Sequence, residues 1–195
     1  AASRELKVVL NGEGADELFA GYRRHVAAWQ AARIGRILPL PASFVRRLVG
    51  LLPNPVGFRT AYSLLHRAAR GFGLDAVDRY LSWSSDGFTE EEKHALYLDR
   101  GARFPSTANV LAEELRWALG RGEVTDFKTI DFVLSLGDCL LVKMDIATMA
   151  HSLEARSPFL DHRLVEWAAS LPPNLLFSGL TTKSLPRSLA ARYLP

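Results

Sequence analysis

Val8-Val9-Leu10-Asn11-Gly12-Glu13-Gly14-Ala15-Asp16-Glu17-Leu18 decides how the chain folds. Residues 7 to 10 read as a strand, and the Asn11-Gly12 pair after them demands a turn. The run lacks polar alternation, which predicts burial on both faces. A buried strand must satisfy its N–H and C=O groups on neighbouring strands, yet no later segment is a comparable run. The neighbours are therefore expected upstream of Ala1, and the chain, which does not begin with methionine, is expected to be cut at both ends. Gly12 and Gly14 permit positive φ and close backbone approach, and the helix expected from Ala15 offers N-terminal amides suited to phosphate or carboxylate. Glu13, Asp16 and Glu17 would repel a bare phosphate, a conflict that an intervening Mg²⁺ removes. The same acids would also complement a helix dipole with no ligand at all.

Outward from this stretch the chain is predominantly α. Of its 195 residues 31 are Leu and 25 Ala, against 24 Val, Ile and Thr together, so strong helix formers dominate. Helical patterns cover roughly 15–35, 42–52, 58–71, 74–83, 89–97, 107–119, 125–151, 161–170 and 182–193. Pro39, Pro41, Pro53, Pro55, Pro105, Pro158, Pro172 and Pro173 fall between them, where a missing N–H costs least. There is no internal repeat. No stretch approaches the ~18 apolar residues of a membrane span, and no secretory signal opens the chain, so a cytoplasmic protein with no membrane partner is expected. The single cysteine, Cys139, excludes an internal disulfide and a thiolate zinc cluster and is expected to pack in the core.

Charge is uneven. Between Leu18 and Leu74 there are nine arginines and no acid, against a total of +3, which leaves −6 for the rest. Such a segment could meet nucleic acid, anionic lipid or an acidic protein surface. The simpler reading is a set of solvated faces that pair with the acidic remainder, and the lack of interleaved aromatics argues against nucleic acid.

Two later segments carry polar residues at suggestive spacings. In helix 125–151, Phe127, Ile130, Val133, Leu134, Leu140, Leu141, Met144 and Met149 form an apolar stripe, and Asp131, Asp138 and Asp145 recur every seven residues, nearly two α-helical turns, which places them on one face with Lys143 around the cylinder. A solvated acidic face accounts for that row as readily as a site does. Ser152-Leu153-Glu154-Ala155-Arg156-Ser157-Pro158-Phe159-Leu160-Asp161-His162 breaks one helix and caps the next through Ser157 or Asp161. There Glu154 and Arg156 could tie the corner together, and His162 reads as a helix-end residue.

Taken together, these motifs resemble the synthetase domain of glutamine-dependent asparagine synthetases, of the N-type ATP pyrophosphatase class. That family has a Ser-Gly-Glu-Gly-Ala/Ser-Asp-Glu-Leu/Val-Phe loop after a parallel strand, matched by Asn11 to Phe19 with Asn11 in place of the serine. Its Lys-x-Asp…Met-Ala…Leu-Glu-x-Arg-Ser/Val-Pro-Phe-Leu-Asp-His run is matched from Lys143 and Asp145 through His162. Its Thr-Lys-x-x-Leu-Arg helix start is matched by Thr182, Lys183 and Arg187, with Pro186 where leucine is usual.

The resemblance implies a partial α/β domain of the adenine nucleotide alpha hydrolase type, predominantly α with one buried parallel strand at its N-terminus. It implies adenylation of the aspartate side chain by ATP with release of pyrophosphate, then displacement of AMP by ammonia drawn from glutamine in a separate N-terminal glutaminase domain. By position, Asp16 is similar to a Mg²⁺-pyrophosphate ligand, Lys183 to the lysine that holds the ATP phosphates, and Glu13 to the acid facing acyl group and ammonia. Gly12, Gly14, Glu17, Asp138, Glu154 and Arg156 would shape the site or bind substrate. The family's Ser-Gly-Gly-x-Asp-Ser nucleotide loop and its amino-terminal nucleophilic cysteine are absent from residues 1–195, and its Arg-x-Lys-x-Gly-Phe segment would begin just past Pro195. Residues 1–195 are thus expected to hold half of an active site and to be inactive alone. The acceptor stays open between aspartate and another carboxylate, on a sugar or antibiotic precursor. A noncatalytic basic helical module is the alternative of a different class, and a homodimer is left open.

Overall fold

The computed structural model describes residues 2–37, 41–53, 60–84, 90–96 and 105–194. The chain divides into two compact units, one of Ala1–Trp29 and Val124–Pro195, the other of Gln30–Glu123. Among the described residues no helix is long and apolar enough to cross a membrane.

In the first unit, β1 (Val8–Leu10) lies where the apolar run predicts a strand and pairs in parallel with β2 (Glu154–Arg156), Val8 opposite Glu154 and Leu10 opposite Arg156. The Glu154 amide donates to the Lys7 carbonyl at 2.8 Å and the Asn11 amide to the Arg156 carbonyl at 2.9 Å, which extends the ladder at both ends. Glu-Ala-Arg has no strand propensity of its own. It becomes a strand because the β1 backbone groups need partners. Burial on both faces is not met: Val8 is 46% and Leu10 73% exposed, while Val9 between them is half-buried. A ribbon of two strands leaves the face bearing Val8 and Leu10 uncovered by any layer of the described chain.

The helix expected over 15–35 is two helices, α1 (Ala15–Leu18) and α2 (Arg23–Ile37). Between them Ala20 turns left-handed, with φ 54°, and the Gly21 amide donates to the Asp16 carbonyl at 2.8 Å. The second unit carries α3 (Ala42–Gly50), α4 (Ala61–Arg70), α5 (Ala76–Ser84), α6 (Glu90–Leu96) and α7 (Thr107–Glu114), close to the sequence expectation. Its core includes Val77, Tyr80, Leu115 and Ala118. Arg79 fastens it, donating to the carbonyls of Gly71 and Leu74 and pairing with Glu123. Pro39 and Pro55, expected at helix breaks, lie outside the described residues. Of the acid-free arginines, Arg23, Arg33, Arg47 and Arg70 are exposed, and Arg24 pairs with an acid, as the solvated-face reading expects.

The long helix expected over 125–151 is present from Glu123 to Met149, as α8 (Glu123–Ile130), a π-helical middle (Asp131–Leu141) and α9 (Val142–Met149). In a π-helix each amide reaches back five residues, so every turn is wider, and the seven-residue register no longer closes on one face. Asp131 is fully buried while Asp138 and Asp145 are exposed. Leu136, outside the expected stripe, is core, and Met149, inside it, is 54% exposed. Cys139, expected in the core, is exposed on the same wide segment. After β2 and a 3₁₀ turn at Pro158–Leu160 come α10 (His162–Ser170), α11 (Pro173–Leu176) and α12 (Ser184–Ala190). Asp161 is the cap of α10, accepting from the Arg163 amide at 3.0 Å; Ser157 bonds elsewhere. With Phe127 and Ile130, Leu18, Phe19, Leu136, Ala168 and Leu176 are among the buried residues of this unit's core, and Phe19 meets the rings of Phe159 and Trp167.

One polar cluster is sealed in that core. Asp131 accepts from Arg24 Nε at 2.9 Å, from Arg24 Nη2 at 2.5 Å, from His25 Nε2 at 2.6 Å and from Ser135 at 3.2 Å. Burial lowers the pKa of His25 below the ordinary 6.5, against the opposite pull of Asp131, so His25 is neutral near pH 7 and spends its Nε2 proton on Asp131. Its Nδ1 is buried without a partner. The unfolded His25 takes up a proton near pH 6.5 and the folded one only below that, so the unfolded state binds more protons in this window and stability falls as pH falls below about 6.5. Thermal midpoints measured at pH 7.5 and 5.5 are expected to drop more for the wild type than for His25→Gln, which keeps a donor but does not titrate.

Candidate active site

The loop after β1 is held by one side chain. Asn11 Oδ1 accepts from the Glu13 amide at 3.1 Å and from Ser157 Oγ at 2.6 Å, across 146 residues of chain. Gly14 sits at φ 90° against Leu160 and Leu136; a Cβ there would lie 2.4 Å from Leu160 Cδ2, so positive φ and close approach are both required. Gly12, expected to share that role, has no positive φ, and a Cβ on it would meet nothing within 4 Å. Two amides at this turn are already bonded. The Glu13 amide is spent on Asn11, the Ala15 amide reaches the Gly12 carbonyl at 3.4 Å, and α1 is a single turn whose dipole is correspondingly small.

Charge is supplied instead by a distant lysine. Lys183 Nζ lies 2.9 Å from Asp16 Oδ1, with Lys183 27% and Asp16 39% exposed, so the pair is reachable from solvent. Lys183 caps the start of α12 in the left-handed region, φ 54°, a conformation that costs a non-glycine residue free energy. Gly21 lets the two side chains meet: a Cβ on it would fall 1.7 Å from Asp16 Oδ1 and 2.4 Å from Lys183 Cε. Nothing in the reading of the loop motif singled out Gly21. The signal was present as a lone glycine inside a helical pattern, where it costs about 1 kcal/mol relative to alanine unless close packing requires it.

Glu17 is turned inward. It is buried and accepts from the Tyr22 hydroxyl at 2.5 Å. Burial, and then the bond to Glu17, raise the Tyr22 pKa, so the phenol keeps its proton as a donor. The Arg24 guanidinium lies 4.0 Å over the Tyr22 ring, linking this pair to the buried Asp131. Glu154 and Arg156 form an ion pair at 2.5 Å, exposed and flanking β1 on β2, so the expected tie at this corner is present. The structure brings the start of the loop, at Asn11, to the Arg156 end of β2, with Glu154 farther back opposite Val8, and it brings Asp16 beside Lys183. Asp138 is exposed and shares no hydrogen bond or ion pair with any of them.

Among the described residues Asp16 is the acid paired with Lys183, and no group of three or more His, Cys, Asp or Glu able to enclose a metal occurs there. A single carboxylate suits Mg²⁺ that arrives with phosphate oxygens and does not suit an all-protein cage. The arrangement can therefore neutralise and orient a phosphate chain beside Lys183 and present a half-exposed acid, Glu13, one short loop away.

Relatives of the chain carry names consistent with such a site. A protein of Mycobacterium tuberculosis provisionally named asparagine synthetase (glutamine-hydrolyzing) is 37% identical over 186 residues, 93% of this chain and 26% of that protein; its Mycobacterium bovis counterpart matches equally. Asparagine synthetase (glutamine-hydrolyzing) 1 of Bacillus subtilis is 30% identical over 195 residues, all of this chain and 29% of that protein. The chain thus spans little more than a quarter of the length of these relatives. No solved structure matches it. The asparagine synthase family model matches residues 1–195, end to end. Matched over its whole length, this chain belongs to the asparagine synthase family.

Proposed function

We propose that residues 1–195 are part of the synthetase domain of a glutamine-dependent asparagine synthetase and hold its pyrophosphate and acyl sides. The observation that carries this reading is the Lys183–Asp16 pair, 2.9 Å apart across 167 positions of chain, beside a loop that presents Glu13. The aspartate side-chain carboxylate attacks the α-phosphorus of ATP, the bond to pyrophosphate breaks, and an acyl-adenylate forms. Ammonia then attacks the acyl carbon and AMP leaves.

Most of the barrier is charge, so groups that neutralise the leaving phosphates carry the rate. Lys183 has three donors, of which Asp16 takes one, and the others are free to turn to phosphate oxygens. Asp16 would hold the Mg²⁺ that accompanies ATP, and that ion supplies charge neutralisation at the departing pyrophosphate. Glu13, half-exposed, is placed to take the proton that ammonia loses on attack. Glu154 and Arg156 face the acceptor from β2, Gly12 leaves its side of the loop open to substrate, and Gly14 and the buried Glu17 keep the loop in shape. Asp138, exposed on the π-helical segment, is given a substrate-binding or shaping role only by its position in the family resemblance.

In this reading the nucleotide loop and the glutaminase domain that supplies ammonia precede residue 1 in the complete protein, and a further catalytic lysine follows Pro195. The test is a steady-state assay of the complete protein. Pyrophosphate release that requires aspartate, ATP and Mg²⁺, with glutamine or ammonia as nitrogen source, is expected. Turnover with another carboxylic acid and none with aspartate would replace the acceptor. Calorimetry on residues 1–195 alone is expected to show no tight ATP binding.

A further inference from the structure

The lysine of the candidate site stands on a strained backbone, and one residue holds both sides of it. Lys183 has φ 54° and ψ 43°, left-handed values that a residue with a Cβ adopts only where its surroundings impose them. Because peptide units are planar, its conformation is fixed once the two units that flank it are fixed. The unit before it carries the Thr182 carbonyl, and the unit after it carries its own. Both oxygens accept from Arg187: the Thr182 carbonyl from the side-chain Nε at 3.0 Å, and the Lys183 carbonyl from the backbone amide at 3.0 Å.

The bond to the Lys183 carbonyl is the ordinary first bond of α12, whereas the bond to the Thr182 carbonyl is no part of the helix. Pro186, directly before Arg187, has no amide hydrogen to offer the residues ahead of the helix. Other anchors hold the residues on either side. Ser178 and Thr181 exchange backbone bonds at 3.1 and 2.9 Å, and Ser184 Oγ donates to the Leu175 carbonyl at 2.6 Å. Neither of these reaches the Thr182 carbonyl. If that carbonyl were released, Lys183 could relax toward the negative φ that a side chain favours, which would swing its ammonium off Asp16, now 2.9 Å away.

We propose that Arg187 is a positioning residue for the reaction: its Nε–H, by holding the Thr182 carbonyl, keeps Lys183 left-handed and its ammonium at Asp16. This rests on the phosphate-holding role given to Lys183 in the proposed function. The test uses the complete protein with two substitutions. Arg187→Met keeps the length of the side chain as far as Nε but has no donor there, and Arg187→Gln places a donating nitrogen the same number of bonds from the backbone. Both lose the positive charge, so the pair separates the hydrogen bond from the charge. Arg187 is exposed, so both variants are expected to keep the wild-type thermal midpoint. Pyrophosphate release and the equilibrium binding of inorganic pyrophosphate with Mg²⁺ are measured for each, alone and in the Lys183→Met background.

Arg187→Met is expected to lower kcat for pyrophosphate release and to weaken pyrophosphate binding, each at least tenfold, while Arg187→Gln stays within threefold of the wild type. In the Lys183→Met background Arg187→Met is expected to add less than twofold, because it acts through the lysine already removed. Equal losses in the Met and Gln variants would assign the effect to the guanidinium charge. Wild-type behaviour in Arg187→Met would leave the carbonyl bond without consequence, and an undiminished loss in the Lys183→Met background would place its effect elsewhere. Each of these three results overturns the positioning role and leaves the enzyme reading standing. If Lys183→Met itself releases and binds pyrophosphate as the wild type does, the role of the lysine fails and this inference fails with it.

Discussion

Lys183→Met in the complete enzyme is expected to lower aspartate-dependent pyrophosphate release by about 10²–10³-fold, the usual cost of removing one preorganised group that stabilises transition-state charge. The substitution keeps the length of the side chain and the backbone conformation of residue 183 and removes only the ammonium. Asp16 then loses its 2.9 Å partner, but at 39% exposure it is hydrated, so the thermal midpoint is expected to stay near wild type. Lys183→Arg is expected to recover little, because the planar guanidinium cannot occupy the position of a point charge on a flexible stem. Pyrophosphate release and thermal unfolding measured on the same preparations separate a chemical defect from a folding one. Full activity in Lys183→Met would remove the lysine from the mechanism.

The second large effect is expected at a residue with no side chain. Gly21 does not adopt a positive φ, so alanine is tolerated by the backbone. The added methyl would fall 1.7 Å from Asp16 Oδ1 and 2.4 Å from Lys183 Cε. Both atoms lie far out on rotatable side chains, so the clash is relieved by swinging the two apart. Stability should fall by no more than about 1–3 kcal/mol, in the range for an inserted methyl, while the phosphate-holding pair is lost. Gly21→Ala is therefore expected to reduce pyrophosphate release by about the same factor as the lysine change. The double variant Gly21→Ala/Lys183→Met is expected to be hardly worse than either single one, since both remove the same interaction. Additive losses in the double variant would show that Gly21 acts elsewhere.

Local pattern carried a good share of this fold. The strand at 8–10 was legible from three apolar residues ahead of a glycine turn, and most helices from their periodicity and proline breaks. The loop residues were legible as a motif, but their geometry was not. Gly12 and Gly14 look equivalent in sequence, yet only Gly14 sits at φ 90° with Leu160 packed on it. Glu13, Asp16 and Glu17 look like one acidic cluster, yet Glu17 is buried under Tyr22 while Asp16 faces a lysine from the far end of the chain.

The sequence by itself determined a mostly helical chain with one N-terminal strand, and it carried the motifs on which the family likeness rests. Both follow from short-range causes: propensity, periodicity, the restrictions of proline and glycine, and the residue types a motif requires. Only the tertiary structure decided that Glu154–Arg156 is a strand, that Asp131–Leu141 winds as a π-helix and hides Asp131, and that Asp16 meets Lys183 beside Gly21. Each of these is the satisfaction of one group by another more than a hundred residues away: β1 amides and carbonyls by β2, the Asp131 carboxylate by Arg24 and His25, Asp16 by Lys183. Buried polar groups must find such partners, but no local pattern specifies which partner the folded chain will bring.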